Sequence, residues 1–212
     1  MPKPGMHWRH VIVNTHSSWL PGSPRGFRNR QHRIHSSGDY RNPPPRGEHE
    51  GLHRYNVGKS SPQVEIPLAL QGLVGVALVT HLTEGGFVIL SASVSDVHAH
   101  FVVELPNALV KVKEIVGSAK ERASRELNNE IVGFRWAAGA TYKLVNSPSH
   151  LCAAVGYVAT KQEPSAWSWC YRCGEPREKN RCTHDHKRIV HKSKPVRHAG
   201  NEPKRGPGFS ER

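Results

Sequence analysis

Residues 97–103 have the sequence Val-His-Ala-His-Phe-Val-Val and lie inside an apolar run from Phe87 to Leu105. The alternation and the β-branched residues of this run predict two adjacent strands joined near Asp96. Because successive side chains of a strand point to opposite faces of a sheet, His98 and His100 would project from one face while the apolar residues between and after them enter the core. Two imidazoles about 7 Å apart along a strand can bind one divalent ion.

A second interpretation of this histidine pair is structural. The chain has 15 histidines, so a His-x-His triplet is expected by chance, and another one, His184-Asp185-His186, lies in a polar segment near the C-terminus. Buried histidines whose ring nitrogens have protein partners also occur in ordinary cores. The residues alone are compatible with both interpretations, a metal site and a pair of buried core histidines whose ring nitrogens have protein partners.

The segments around the histidine strand predict an α+β fold. The expected elements are, in order, a strand at 10–16, a helix from 66 to 84, the two strands within 87–105, a helix over about 109–129, a hairpin of 134–137 and 141–145, and a helix from Ser147 or Ser149 to Pro164. This order predicts a mainly antiparallel sheet with helices on one face and the histidine strand in its centre. The polar segment 17–62 shows no periodicity and is expected to be a long insertion without elements.

The positive charge of the chain is concentrated at its two ends. Residues 1–60 hold 10 Lys and Arg against three Asp and Glu, and residues 170–212 hold 12 against five, whereas residues 61–169 hold eight against nine. Basic flanks on a neutral globule are typical of a protein that binds a polyanion, although such flanks also serve solubility. The residues expected to contact DNA are Arg25, Arg28, Arg30 and Arg33, which alternate with the rings of Trp19, Phe27, Tyr40 and Tyr55. This mixture suits single-stranded nucleic acid, and an ordinary solvated loop is the alternative.

Length and composition predict one domain with polar arms. The chain has 212 residues, of which 36% are hydrophobic, and it contains no apolar stretch of membrane-spanning length. We therefore expect a soluble, cytoplasmic and nucleoid-associated protein that makes no membrane contact. The tail over 189–212 is rich in Lys, Arg, Pro and Gly, which predicts disorder and contact with the DNA backbone.

The cysteines point to a second metal site. Cys170 and Cys173 form a Cys-x-x-Cys knuckle, and Cys182, His184 and His186 follow within a short stretch. Three thiolates and one imidazole are a common ligand set for structural Zn²⁺, so residues 170–188 predict a small zinc knuckle. Reduced thiols without a metal are the alternative. The fourth cysteine of the chain, Cys152, is expected to be a small buried residue of the last helix.

In their order and spacing, the motifs resemble the single-tyrosine HUH transposases, which include the REP-associated tyrosine transposases. The resemblance spans about residues 7–171 and is carried by Val11–His16, Trp19–Gly26, His98-Ala99-His100 and Tyr157. It implies a ferredoxin-like or RRM-like palm, usually a homodimer, that cleaves and rejoins single-stranded hairpin DNA. By this resemblance, His98 and His100 would hold Mg²⁺ or Mn²⁺ against the scissile phosphate, and Tyr157 would attack it to form a 5′-phosphotyrosine without ATP.

One position departs from the pattern of that family, which commonly has a polar metal ligand four residues after the tyrosine. Here that position is Lys161, a cation that would repel a metal ion and could instead contact the phosphate. Gln162 could replace the missing ligand if the helix loosens before Pro164. Tyr157 itself could be an edge-of-core residue.

Two rival hypotheses follow from these alternatives. The first is a domesticated protein that binds single-stranded nucleic acid without cleaving it, which the lysine at position 161 favours. The second is a zinc-stabilised interaction module with no role in nucleic-acid binding.

Overall fold

The computed structural model describes residues 2–24, 26–27, 35–37, 42, 44–128, 130–131 and 133–186. Its elements are, in chain order, β1 (Met6–Asn14), α1 (Glu50–Lys59), α2 (Leu68–Glu84), β2 (Ile89–Val94), β3 (His98–Pro106), α3 (Leu109–Asn128), β4 (Thr141–Leu144), α4 (Pro148–Thr160) and β5 (Trp167–Cys170). A short 3-10 helix, Tyr171–Cys173, follows β5. Within the described residues, every helix is too short or too polar to span a bilayer.

The strands form one antiparallel sheet in the order β4-β1-β3-β2-β5. The elements β1, α2, β2, β3, α3 and β4 have the β-α-β-β-α-β order of the ferredoxin-like fold, and β5 widens the sheet beyond β2. The predicted α+β class, the antiparallel sheet and the central position of the histidine strand are confirmed. β3 lies between β1 and β2, so its side chains have neighbours on both sides.

The helices α2 and α3 cover one face of the sheet and form the main core with it. Ala99, Phe101 and Val103 of β3 point into this core, as their alternation predicts. Leu78 and Leu127 contribute from the two helices, and all five side chains are buried. Complete burial of one such large side chain stabilises the fold by about 1.5–3 kcal/mol relative to its exposure.

The helix α4 packs on the opposite face, over β2, β3 and β5, so the prediction that helices lie on one face is wrong for this element. Leu151, Val155 and Val158 of α4 form a second apolar cluster with Trp8 and Val102 from the sheet. Periodicity shows that a helix has an apolar side, but it does not say which face of a sheet that side covers. Of the two predicted starts, Ser147 is the N-cap, because its side chain accepts a hydrogen bond from the His150 N–H at 3.1 Å.

Two predicted segments differ from the structure. The insertion 17–62 contains α1, a helix without a buried residue, so no apolar periodicity marked it. The predicted hairpin of 134–137 and 141–145 does not form. Instead, β4 pairs with β1, and Trp136 makes an isolated bridge with Thr15.

β5 was not predicted, and the first strand, predicted at 10–16, begins at Met6 and ends at Asn14. A four-residue strand is too short for periodicity to identify.

A pair of glycine substitutions tests the packing of α2 on β5. A β-carbon at Gly75 would lie 2.3 Å from Cε3 of Trp167, whereas one at Gly117 of α3 would have no atom within 4 Å. We expect Gly75→Ala to destabilise the protein by about 1–3 kcal/mol, since Trp167 must move. Gly117→Ala should stabilise it by about 0.5–1 kcal/mol by favouring the helix. Urea unfolding measures both free energies, and the opposite ranking of the two variants would contradict this packing.

Candidate active site and candidate metal centre

Three imidazoles lie together on the sheet face that carries α4. The ring centroids of His98 and His100 are 4.7 Å apart. The ring of His10, from β1, lies 5.2 Å from that of His100, and His10 Nε2 is 2.9 Å from His100 Nδ1. His10 was not predicted as a site residue. Only the pairing register of β1 with β3, which sets His10 opposite Val102, places it beside His100.

Burial keeps two of these imidazoles neutral. His100 and His10 are 6% and 8% exposed. Burial, with smaller effects from neighbouring cationic groups, lowers the pKa of His100 to about 2 and that of His10 to about 4. A neutral imidazole has one donor and one acceptor nitrogen, so one ring donates to the other across the 2.9 Å contact.

The neutral state of His10 has a consequence for stability. Its ring is packed against His100 and Tyr157, and burial lowers its pKa most, with smaller contributions from Lys143 and His150. The unfolded chain protonates this position near pH 6.5 and the folded chain only near pH 4. The unfolded state therefore binds more protons, and the free energy of unfolding falls as the pH drops from about 7 toward 4. We expect His10→Gln to reduce this slope by up to about 1.4 kcal/mol per pH unit. Urea unfolding in EDTA at a series of pH values measures the slope, and equal slopes would contradict a buried neutral His10.

Tyr157 lies beside these imidazoles. Its ring centroid is 5.9 Å from those of His10 and His100, and the residue is 42% exposed. Leu151, Ala154, Val155 and Val158 form the buried stripe of α4, and Tyr157 lies at the edge of that stripe. The structure thus brings Tyr157 next to His100, which in turn contacts His98.

The end of α4 determines where Lys161 and the candidate third ligand Gln162 lie. α4 ends at Thr160, and Lys161 is its C-cap, with a backbone N–H that donates to the Tyr157 carbonyl at 3.0 Å. The Lys161 side chain is exposed. The side-chain amide of Gln162 donates to the same carbonyl at 3.3 Å. The helix therefore ends before Pro164, as a role for Gln162 requires, and the Gln162 side chain folds back over the helix end.

A basic residue that the sequence analysis did not select adjoins the site. Lys143 of β4 is paired with His10 in the β1–β4 register, so both project from the same sheet face. Its charge contributes to the lowered pKa of both His10 and His100, and the residue is exposed. An exposed cation next to the imidazoles can contact a phosphate.

The predicted DNA-binding insertion is only partly described. Arg25, Arg28, Arg30 and Arg33, together with Tyr40 and the predicted basic tail 189–212, lie outside the described residues. Among the rings, Trp19 and Tyr55 are exposed, and the Tyr55 ring has the Lys59 ammonium over one face, 4.4 Å from its centroid. Phe27, in contrast, is buried against the ring of His49, so its ring is not exposed for base stacking.

The second cluster of candidate ligands lies at the end of β5. One ligand atom each of Cys170, Cys173, Cys182 and His184 lies within 4.8 Å of the others. His184 Nδ1 is 3.7, 3.6 and 3.7 Å from the three sulfurs in that order, and the sulfurs of Cys170 and Cys173 are 3.7 Å apart. His186 lies outside this set and contacts only the Cys182 sulfur among the three, through Nε2 at 3.4 Å. Cys152, expected to be buried, is only partly buried on α4 and does not belong to the cluster.

Comparisons with known proteins give one distant likeness. No protein-family model matches the chain, and no curated protein sequence matches it. Among solved structures, the chain is similar to a REP-associated tyrosine transposase bound to a REP hairpin, with 12% sequence identity and a TM-score of 0.36. The match covers 73% of this chain and 66% of the other, which is slightly less than two thirds of that chain.

Proposed function

We propose that this protein is a transposase-like enzyme that cleaves and rejoins single-stranded DNA through a covalent bond between Tyr157 and a 5′-phosphate. The observation that supports this function best is the position of the half-exposed Tyr157 ring, 5.9 Å from the ring of His100, next to the paired His98. A tyrosine accessible to a substrate and set beside paired imidazoles is an arrangement suited to nucleophilic attack on a phosphodiester.

The reaction needs one nucleophile and no external energy source. The Tyr157 oxygen attacks phosphorus, the P–O3′ bond breaks, the phenol proton is lost and the 3′ oxygen gains a proton. In the reverse step, the 3′-hydroxyl of the incoming strand attacks the phosphotyrosine and releases the tyrosine. Because one phosphate ester replaces another in each step, the energy of the phosphodiester is conserved.

The imidazoles fit the role of metal ligands for Mg²⁺ or Mn²⁺. In His98, Nδ1 contacts the Ser95 hydroxyl at 3.0 Å, and in His100, Nδ1 contacts His10 Nε2 at 2.9 Å. Metal-binding histidines usually engage their second nitrogen in such an outer contact, which orients the ring. On this proposal, Nε2 of both rings would bind the metal, with Gln162 as the candidate third ligand. A bound ion would polarise the scissile phosphate and help to stabilise the charge that develops on it.

Basic groups around the site are suited to the DNA backbone. Lys143 lies beside His10 on one side, and the side chain of Lys161 is exposed at the end of α4. Together with the predicted contacts of Arg25, Arg28, Arg30 and Arg33, these cations would neutralise phosphates, so binding should weaken as the salt concentration rises. The homodimer, the hairpin substrate and the cytoplasmic, nucleoid-associated location implied by the resemblance stay predictions.

A covalent-adduct assay tests this function. The purified protein is incubated with a labelled hairpin oligonucleotide taken from the DNA flanking its own gene, with Mn²⁺, with Mg²⁺ or with EDTA, and is then separated by denaturing electrophoresis. We expect a labelled band at the size of protein plus DNA with either metal ion and none with EDTA. The absence of that band under both metal conditions, while the oligonucleotide still binds in a native gel, would reject cleavage.

The second candidate function is binding of single-stranded nucleic acid without cleavage. It is favoured by Lys161, which lies at the position where the single-tyrosine HUH transposases commonly have a metal ligand. A native complex without any covalent band would support it. Lys161→Gln would then be the informative variant, since it restores a neutral oxygen ligand at that position.

A further inference from the structure

We propose that Cys170, Cys173, Cys182 and His184 bind one structural Zn²⁺ ion, and that this ion fixes the C-terminal segment 177–186 against β5 and α4. This site is separate from the three imidazoles, and zinc binding there does not depend on the cleavage chemistry.

The spacing of the ligand atoms matches a tetrahedral zinc site. Zn–S and Zn–N bonds of about 2.3 and 2.1 Å at tetrahedral angles place two sulfurs about 3.8 Å apart and a sulfur and a nitrogen about 3.6 Å apart. The Cys170–Cys173 distance is 3.7 Å, and the three distances from the sulfurs to His184 Nδ1 are 3.6–3.7 Å. All three thiols are free, and the 3.7 Å between the first two sulfurs is far longer than a disulfide bond. A closed set of four protein ligands is the arrangement of a structural site.

His186 is an outer partner of this site. Its Nε2 lies 3.4 Å from the Cys182 sulfur, and the residue is 5% exposed. Its other ring nitrogen is buried without a hydrogen-bond partner among the described residues. A buried imidazole that donates to a thiolate ligand stabilises its charge and orients it, as outer partners of metal sites do.

The contacts of the segment show what the ion would hold in place. The Ser168 N–H of β5 donates to the Asn180 carbonyl at 3.2 Å, and the Cys182 N–H donates to the Ser168 hydroxyl at 3.0 Å. Ala159 of α4 packs against Cys170 and Cys182. The segment therefore lies against both elements, and it contacts α4 at Ala159, in the last turn of the helix.

Apart from the four ligands, the segment is held by hydrogen bonds, which include those from Trp167 Nε1–H to the Arg177 carbonyl at 2.8 Å and from the Arg172 guanidinium to the Asp185 carbonyl at 2.8 Å. From 177 to 186, the described chain has no helix or strand, and its buried residues are Cys182 and His186 alone. Ordering the backbone costs about 1–2 kcal/mol of conformational entropy for each residue, and the segment has ten residues. The small area that they bury does not offset this cost. A metal ion that binds only the folded arrangement supplies the missing free energy.

Metal analysis of the intact protein tests the site directly. We expect the purified chain to contain one zinc per molecule by mass spectrometry under native conditions. Cobalt added after removal of zinc should give the charge-transfer and visible bands of tetrahedral cobalt bound to thiolates. Because this measurement uses the wild-type protein, it does not depend on whether any variant folds. Substoichiometric zinc together with no cobalt–thiolate absorption would overturn the proposal.

Graded variants separate the ligands from their surroundings. We expect His184→Ala to weaken zinc binding by more than about 100-fold and His186→Ala by about 10- to 100-fold, which is the usual cost of losing an outer partner. Cys152→Ser is the control and should bind zinc like the wild type, because Cys152 lies outside the cluster. Equal affinities for His184→Ala and Cys152→Ser would reject His184 as a ligand.

Hydrogen exchange tests the anchoring. Removal of zinc should speed amide exchange in residues 177–186, β5 and α4, and leave β1 and β3 protected. Unchanged exchange in β5 and α4 would overturn the claim that the ion fixes the segment against them.

Discussion

Tyr157→Phe is expected to abolish the covalent protein–DNA adduct and to reduce strand cleavage by at least about a thousandfold, as the loss of a catalytic nucleophile does in other enzymes. The substitution removes one oxygen atom and retains the ring that lies 5.9 Å from His10 and from His100. The residue is 42% exposed, so the fold should not change. The adduct is measured by denaturing electrophoresis with Mn²⁺, and peptide mass spectrometry identifies the modified residue in the wild type.

A second tyrosine provides the matched control for this experiment. Tyr142 of β4 packs against the main core, on the sheet face opposite to the imidazoles. Tyr142→Phe removes the same atom and should form the adduct at the wild-type rate. Binding of the hairpin, measured by filter retention, should be unchanged in Tyr157→Phe, which separates loss of chemistry from loss of affinity. An adduct that persists in Tyr157→Phe would show that another residue is the nucleophile.

The sequence predicted the parts of this protein whose residues repeat with a clear period. Alternation in β3 correctly separated the histidines from the core residues Ala99, Phe101 and Val103. The apolar periods of α2, α3 and α4 predicted those three helices. α1 was not predicted because none of its residues is buried, and β5 was not predicted because it has only four residues. Local patterns thus predict an element only where it buries a regular stripe over several turns or alternations.

The rest of the candidate site depends on contacts between distant segments. His10 and Lys143 lie in strands β1 and β4, and only the pairing registers bring them to the face of His100. The Cys-x-x-Cys spacing predicted a cluster, but spacing alone offered both His184 and His186. In the folded chain, Nδ1 of His184 faces all three sulfurs, whereas His186 contacts only the sulfur of Cys182 among the three.

His98→Ala is expected to lower metal-dependent adduct formation by at least about 100-fold. Loss of an outer partner of a metal site lowers metal affinity or activity by about 10- to 100-fold, and loss of a ligand should lower it more. His98 suits this test better than His100. Replacement of the buried His100 would leave His10 Nε2 without its partner and cost about 1–3 kcal/mol of stability. His98 is only partly buried, so its removal should leave the fold intact.

The dependence on metal concentration distinguishes a ligand from a residue that binds DNA. If His98 holds the ion, His98→Ala should require a higher Mn²⁺ concentration for half-maximal adduct formation, while its affinity for the hairpin in EDTA equals that of the wild type. His7→Ala is the matched control, since His7 is an exposed histidine of β1 that lies opposite Leu105, a residue of the main core. An unchanged Mn²⁺ requirement combined with weaker hairpin binding in EDTA would show that His98 contacts a phosphate and does not bind the metal. The metal ion would then need ligands other than the pair His98 and His100.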